Sequence, residues 1–228
     1  MSERQPAARY ELKMTFDPTW IEEVRGWIVA HSSAFAVAYP PRWVNSVYFD
    51  TPDLDCYNDH LAGVPERRKL RFRWYGPSLL KARGQVEVKN KRERVGWKII
   101  QPVDREFDLG SLSWAEVLDG LRRRTDGIVR ELLWVARPLV LTVYSREYLV
   151  SADGLVRLTI DTDLQAYEQL FTSRPNLWFR QPVEPSLIVE LKSDVAHASR
   201  LADILAHFPQ RANRRSKFVD SLGFEFVK

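Results

Sequence analysis

A single cysteine, Cys56, excludes an internal disulfide and a multi-thiolate metal site. With only Asp55 and Tyr57 beside it and no partner marking it as a nucleophile, it is expected to be structural. No apolar stretch nears the ~20 residues needed to cross a bilayer; Leu139–Val143 and Leu187–Val189 are typical of what there is. The segment from Met1 to Arg9 is polar and lacks the apolar core of a secretory signal. Together these point to a soluble, cytoplasmic protein. No repeat and no low-complexity tract marks a solenoid or a linker tail. The four histidines, His31, His60, His197 and His207, lack ligand spacing, and none is assigned to a metal. Net charge is small too, +4 from 34 Lys+Arg against 30 Asp+Glu, so placement is more informative than the sum.

The chain does hold enough apolar residues, 45%, for a real core, and its 228 residues fit one β-rich domain spanning 1–228. Several segments alternate with period two. Residues 9, 11 and 13 of Arg9-Tyr10-Glu11-Leu12-Lys13-Met14 are charged, and Lys69-Leu70-Arg71-Phe72-Arg73-Trp74 puts cations on the odd positions. Val86-Glu87-Val88-Lys89, Val156-Arg157-Leu158-Thr159-Ile160-Asp161 and Val189-Glu190-Leu191-Lys192 repeat the habit. Successive strand side chains point to opposite faces, so each segment predicts a strand with one apolar and one ionic face. Val44–Asp50 and Leu139–Val150 also predict strands, being rich in Val, Tyr and Phe. Helix signals lie between: Asp17-Pro18 leading into Trp20–His31, Ser111 or Ser113 before Trp114–Arg124, and Ser193 or Asp194 before Val195–His207. Asn213–Leu222 reads as a last short basic helix, and the Gly and Pro residues around 76–84 as a loop joining two long strands. The expected class is α+β, an antiparallel sheet with a few helices.

A half-buried strand ordinarily hides its apolar face and wets its charged one. Here many strands share the habit, and their apolar faces need a cover, which the helices can supply. If the sheet closes to remove its edges, the charged faces line a lumen. Cations crowded there repel by roughly 1–4 kcal/mol per pair, so such an interior calls for a polyanion. Guanidinium forks and ammonium point charges both suit phosphate oxygens. The acids in phase with the cations, Glu11, Glu87 and Glu190, suit a hard divalent ion shared between carboxylate and phosphate.

Ser46-Val47-Tyr48-Phe49-Asp50-Thr51, Leu70-Arg71-Phe72-Arg73-Trp74-Tyr75-Gly76, Val86-Glu87-Val88-Lys89 and Val143-Tyr144-Ser145-Arg146 occur in that order. They are followed by Val156–Thr162, Val189-Glu190-Leu191-Lys192 and Arg215-Ser216-Lys217-Phe218. The ordered set, over about residues 9–222, resembles the VTC domain, the polyphosphate polymerase module of the vacuolar transporter chaperone complex. That family lies within the triphosphate tunnel metalloenzymes. The resemblance implies a closed antiparallel β-barrel with a charged lumen and helices outside. It implies transfer of the ATP γ-phosphoryl group onto a growing polyphosphate chain, with Mn2+ or Mg2+. The phosphate-gripping residues would be Arg9, Arg71, Arg73, Lys89, Lys98, Arg146, Arg157 and Lys217, assisted by Tyr144 and Ser216, with Glu190 on the metal. Lys13 and Glu87 join by their inward phase. Of these, Arg71, Arg73, Lys89, Arg146, Arg157 and Glu190 would carry catalysis, and Glu11, Glu87 and Glu190 the metal. Where the superfamily opens on Glu-x-Glu-x-Lys, this chain has Arg9-x-Glu11-x-Lys13, a change that favours a longer polyanion.

Other readings stay open. Water as acceptor gives a tripolyphosphate or nucleoside-triphosphate hydrolase, and loss of turnover gives a polyphosphate-binding module. Tyr48, Phe49, Trp74 and Tyr75 could form a base-stacking platform for single-stranded nucleic acid, although Phe72 and Trp74 sit in the core phase and no nucleic-acid partner is expected. Arg122-Arg123-Arg124 ends a helix, where cations suit the dipole. Arg211, Arg214 and Arg215 could guide a polyanion out. Whether a membrane protein receives the product is undecided.

Overall fold

The period-two segments form strands that pair edge to edge until the ring closes. A computed structural model describes residues 9–92, 95–209 and 217–222. In chain order come β1 (Arg9–Phe16), α1 (Ile21–Ala30), β2 (Ala36–Asp50), α2 (Asp55–Leu61), β3 (Glu66–Tyr75), β4 (Lys81–Ala82), β5 (Gly84–Arg92) and β6 (Val95–Pro102). Then follow β7 (Phe107–Asp108), α3 (Trp114–Arg122), α4 (Gly127–Val135), β8 (Arg137–Val150), β9 (Val156–Glu168), β10 (Leu187–Asp194), α5 (Ala198–Ala206) and α6 (Lys217–Asp220). The barrel order is β1-β10-β9-β8-β2-β3-β5-β6, closed by Arg9 opposite Gly96. All neighbours run antiparallel, and β4 with β7 makes a small separate ribbon. Closure leaves no long edge for another chain to pair with.

The helices begin where the sequence places caps. The Asp17 carboxylate accepts from the Thr19 backbone N–H at 2.9 Å at the head of the turn before α1. Ser113 and Glu116 form a reciprocal capping box on α3, and Asp194 caps the turn leading into α5. Two helices escape the sequence reading. In α2, buried Asp50 accepts from the backbone N–H groups of Thr51, Cys56 and Tyr57 at 2.8–2.9 Å, which holds the helix against the end of β2. α4 begins at Gly127, whose φ of +47° is a conformation side chains disfavour. Of the helix expected over 213–222, residues 217–220 are helical and 213–216 lie outside the described residues.

The apolar phase of the strands faces outward, under the helices. Val47, Phe49, Phe72, Trp74, Val86 and Val88 pack with Trp114, Val117 and Leu121 of α3 and Val129 and Leu133 of α4. On the other side Met14, Leu158, Ile160, Val189 and Leu191 meet Val24 and Ile28 of α1 and Leu201 and Ile204 of α5. A third cluster closes one end of the bore, where Phe218 of α6 and Tyr57 of α2 pack with Tyr48 and Val140. The expected inversion is therefore present: helices cover the greasy faces, and the charged faces turn inward. Phe49, Phe72 and Trp74 are core residues, which removes them from any stacking platform. In Arg122-Arg123-Arg124, Arg122 donates twice to the Leu133 carbonyl and Arg124 to that of Gly120, so two of these cations tie helix ends.

Phe72, 1% exposed between sheet and helices, supplies the packing check. Phe72→Ala should cost about 3–5 kcal/mol in urea denaturation. The same truncation at Phe171, 82% exposed, should cost under about 0.5 kcal/mol.

Candidate functional site

Register brings the inward side chains of the eight barrel strands into adjacent rows. Lys13 lies opposite Glu190, which lies opposite Thr159; Glu11 faces Lys192, which faces Arg157. On the far side Arg71 lies opposite both Tyr48 and Glu87, Lys69 opposite Lys89, and Lys89 opposite Lys98. A Cβ at Gly84 would overlap the Arg73 backbone carbonyl, so glycine there lets β5 approach the strand that aims Arg73 inward.

The acids inside the bore are bound to these cations. Buried Asp161 takes a two-pronged grip from Arg146, at 2.5 and 2.6 Å, and meets Lys217 Nζ at 2.5 Å. Glu190 touches Lys192 at 2.7 Å, Lys13 at 3.3 Å and Arg146 at 3.4 Å. Glu11 meets Lys89 at 2.7 Å and Lys13 at 3.3 Å. Glu87 holds Arg71 through its Nε and Nη2, at 2.9 and 2.5 Å, and lies 3.7 Å from Arg73. Arg73 also reaches the hydroxyls of Ser46 and Tyr144 at 3.5 Å, and Lys217 and Arg146 lie over the Tyr144 ring.

Most of the expected set is thus gathered: Lys13, Arg71, Arg73, Glu87, Lys89, Tyr144, Arg146, Glu190 and Lys217 are part of one interior network, and Glu11 joins it. Lys98 faces Lys89 on the inward phase and is only partly covered. Arg9 and Arg157 lie toward the end opposite the Phe218 plug, both exposed. Ser216, with Arg211, Arg214 and Arg215, lies outside the described residues. The metal trio divides: Glu11 and Glu190 share Lys13, whereas Glu87 sits with Arg71 and Arg73. Among the described residues no three His, Cys, Asp or Glu side chains cluster as metal ligands. The Glu11–Glu190 pair still offers hard oxygens of the kind Mg2+ or Mn2+ takes, one or two carboxylates with the rest from water and phosphate.

Three interior residues went unassigned by the sequence reading. Asp161, Lys192 and Lys69 each stand two or four residues from an assigned neighbour on the same strand face, and that phase was the signal available. Cys56 is no nucleophile, for burial and then Asp50 push its thiol up to about 12. Burial, followed by Lys69, lowers His60 to about 3, so its ring is neutral at ordinary pH.

The crowding shows in the proton affinities. Burial first, then Lys13, Lys89 and Arg71, lowers Lys69 well below an ordinary lysine. Burial likewise leads in lowering Lys89 and Lys98. Burial alone would raise Glu190, yet Lys192, Lys13, the Glu11 side chain and Arg146 hold it well below the usual carboxylate range. Asp161 and Glu87 are lowered against the same burial, by Arg146 and Lys217 and by Arg71 and Arg73 respectively. The lumen therefore keeps its carboxylates ionised while still holding more cations than acids.

The VTC domain family profile matches residues 8–225. Among solved structures, a Pyrococcus horikoshii protein is similar at 16% identity and a TM-score of 0.51, over 93% of this chain and 96% of that one. A proposed adenylyl cyclase of Hippeastrum, with a dominant triphosphatase activity, gives 16% and 0.53 over 93% of each chain. A proposed adenylate cyclase of Bacillus halodurans gives 12% and 0.52, over 93% of this chain and 95% of that one. At these identities the likeness is one of fold alone. No curated protein matches in sequence.

Acid should expose the carboxylate network. These acids have folded-state pKa values below their unfolded values near 4, so the unfolded chain binds more protons and stability rises with pH in that window. The contribution is complete above about pH 5 and is lost as pH falls through the depressed values. Urea unfolding at pH 5 and pH 3 should show a smaller loss for Glu190→Gln than for wild type; equal losses would remove Glu190 from the network.

Proposed function

The chain belongs to the VTC domain family, and we propose that it is a metal-dependent polyphosphate polymerase moving the ATP γ-phosphoryl group onto a polyphosphate chain inside its tunnel. One observation carries this: cations from separate strands and from α6 converge on a single interior and outnumber the carboxylates they pair with. An incoming polyphosphate supplies the missing negative charge.

Phosphoryl transfer needs alignment and charge neutralisation more than covalent help. Arg71, Arg73 and Arg146 offer fork-shaped donors fixed by strand packing and by their carboxylates, a preorganised cradle for the triphosphate. Lys13, Lys89, Lys98 and Lys217 add point charges along the bore, with Tyr144 assisting as a hydrogen-bond donor. Arg157 and Arg9 draw the anion toward the mouth. A terminal phosphate oxygen of the acceptor, already ionised, attacks the γ-phosphorus with no general base required. The bond from the γ-phosphorus to the β–γ bridging oxygen breaks, and ADP leaves with that oxygen. Mn2+ or Mg2+ held by Glu11 and Glu190 would neutralise charge on the phosphate oxygens; Glu87 serves Arg71 and Arg73 instead.

Hydrolysis is the second reading. The Hippeastrum protein has a dominant triphosphatase activity, and water in the acceptor's place would give this chain's cradle that reaction. A binding module that holds polyphosphate without turnover is the third. Among the described residues no helix is long and apolar enough to cross a membrane.

Incubation with ATP and Mn2+, with products resolved on a gel, tests it. Long ladders are the expected result. Free phosphate would make the protein a hydrolase, and unchanged ATP with retained polyphosphate a binding module. Arg73→Ala and Glu190→Ala should each slow turnover about 10²–10³-fold; wild-type rates in both would overturn the assignment.

A further inference from the structure

At the end of the bore opposite the Phe218 plug, where Arg9 and Arg157 lie on β1 and β9, the inward phase of β2, β3 and β8 carries tyrosines. Tyr75 ends β3 on the face of Arg71 and Arg73, and Tyr148 follows Tyr144 and Arg146 on β8. Tyr39 of β2 lies opposite Tyr148, the two rings edge to face at 5.9 Å. In their midst the Arg42 guanidinium stands 5.2 Å from the Tyr39 ring, 5.5 Å from Tyr148 and 5.9 Å from Tyr75. Tyr39 is 56% exposed and Tyr75 46%. Large rings held by a packed barrel rim and left open to water are costly to keep exposed, unless something stacks on them.

Phosphate oxygens can take the Arg42 guanidinium and the tyrosine hydroxyls, but they gain nothing from open ring faces. A nucleobase does: every base has a π-face, and aromatic rings with an arginine beside them make a sequence-tolerant stacking site. The spacing also fits. Tyr148 is two residues beyond Arg146 on β8, about 7 Å along the strand, roughly the reach of the ribose that separates a base from its phosphates. We propose that Tyr39, Tyr75 and Tyr148, gathered around Arg42 at the tunnel mouth, hold the base of a nucleoside triphosphate whose phosphates enter the cationic bore. This rests on the tunnel reading above and adds to it a specificity device. The collar makes the mouth select a nucleotide over an inorganic polyphosphate of similar charge, and fixes the end from which the donor enters.

Affinities for ATP and for inorganic tripolyphosphate, measured by calorimetry in metal-free buffer at one ionic strength, test this. Tyr39→Ala and Tyr75→Ala should each weaken ATP about tenfold and leave tripolyphosphate within about twofold, the second ligand reporting that the bore is intact. Tyr39→Phe, which keeps the ring, should retain ATP affinity. An unchanged ratio of the two affinities in both alanine variants overturns the collar, as does a wild-type chain that binds tripolyphosphate but not ATP. A wild-type chain that binds neither overturns the tunnel reading itself, and the collar with it.

Discussion

The charge imbalance inside the barrel governs the rest of the molecule. Arg146 and Lys217 close on Asp161, Lys13 and Lys192 on Glu190, and Arg71 on Glu87, yet Lys98 and Arg73 add positive charge to the same space. Buried ions are expensive even in pairs, and removing one partner of such a pair costs more than the pair contributes. A fold that keeps this many charges inside needs its hydrophobic effect elsewhere. That accounts for the inverted barrel, in which helices α1, α3, α4 and α5 cover the outside and the interior stays polar.

The same imbalance fixes how the carboxylates work. They spread over several strands, and each steadies the guanidinium or ammonium nearest to it. Glu87 orients Arg71 through two hydrogen bonds, and Asp161 does so for Arg146. Such pairing costs the arginines little freedom when phosphate arrives, since their planes are already set. Lys13, bridging Glu11 and Glu190 at 3.3 Å to each, stands where those two acids could instead share a metal ion.

Much of this was legible from residue order, because a strand's period of two is rigid. Arg71 and Arg73 had to share a face once Phe72 and Trp74 were core, and the caps at Asp17, Ser113 and Asp194 lie where short polar side chains precede apolar periodicity. Phase alone also held Asp161, Lys192 and Lys69, which the reading passed over. Other features were hidden for physical reasons. The start of α2 depends on Asp50 reaching forward to three backbone N–H groups, a long-range cap without the spacing of a capping box. α4 is a short apolar run that could equally be a strand. The tyrosine collar depends on irregular pairing between Val37 and Arg42, where alternation breaks and phase no longer tells inside from outside. Lys98 entered only through the family resemblance, its strand having too few alternating charges to announce itself.

A crystal structure of the protein with inorganic tripolyphosphate addresses the central claim most directly. Phosphate groups inside the barrel, within hydrogen-bond distance of Arg71, Arg73 and Arg146, are the predicted result. Phosphate confined to the outer surface, at Arg122 and Arg123 for example, with the interior ion pairs undisturbed, would contradict it.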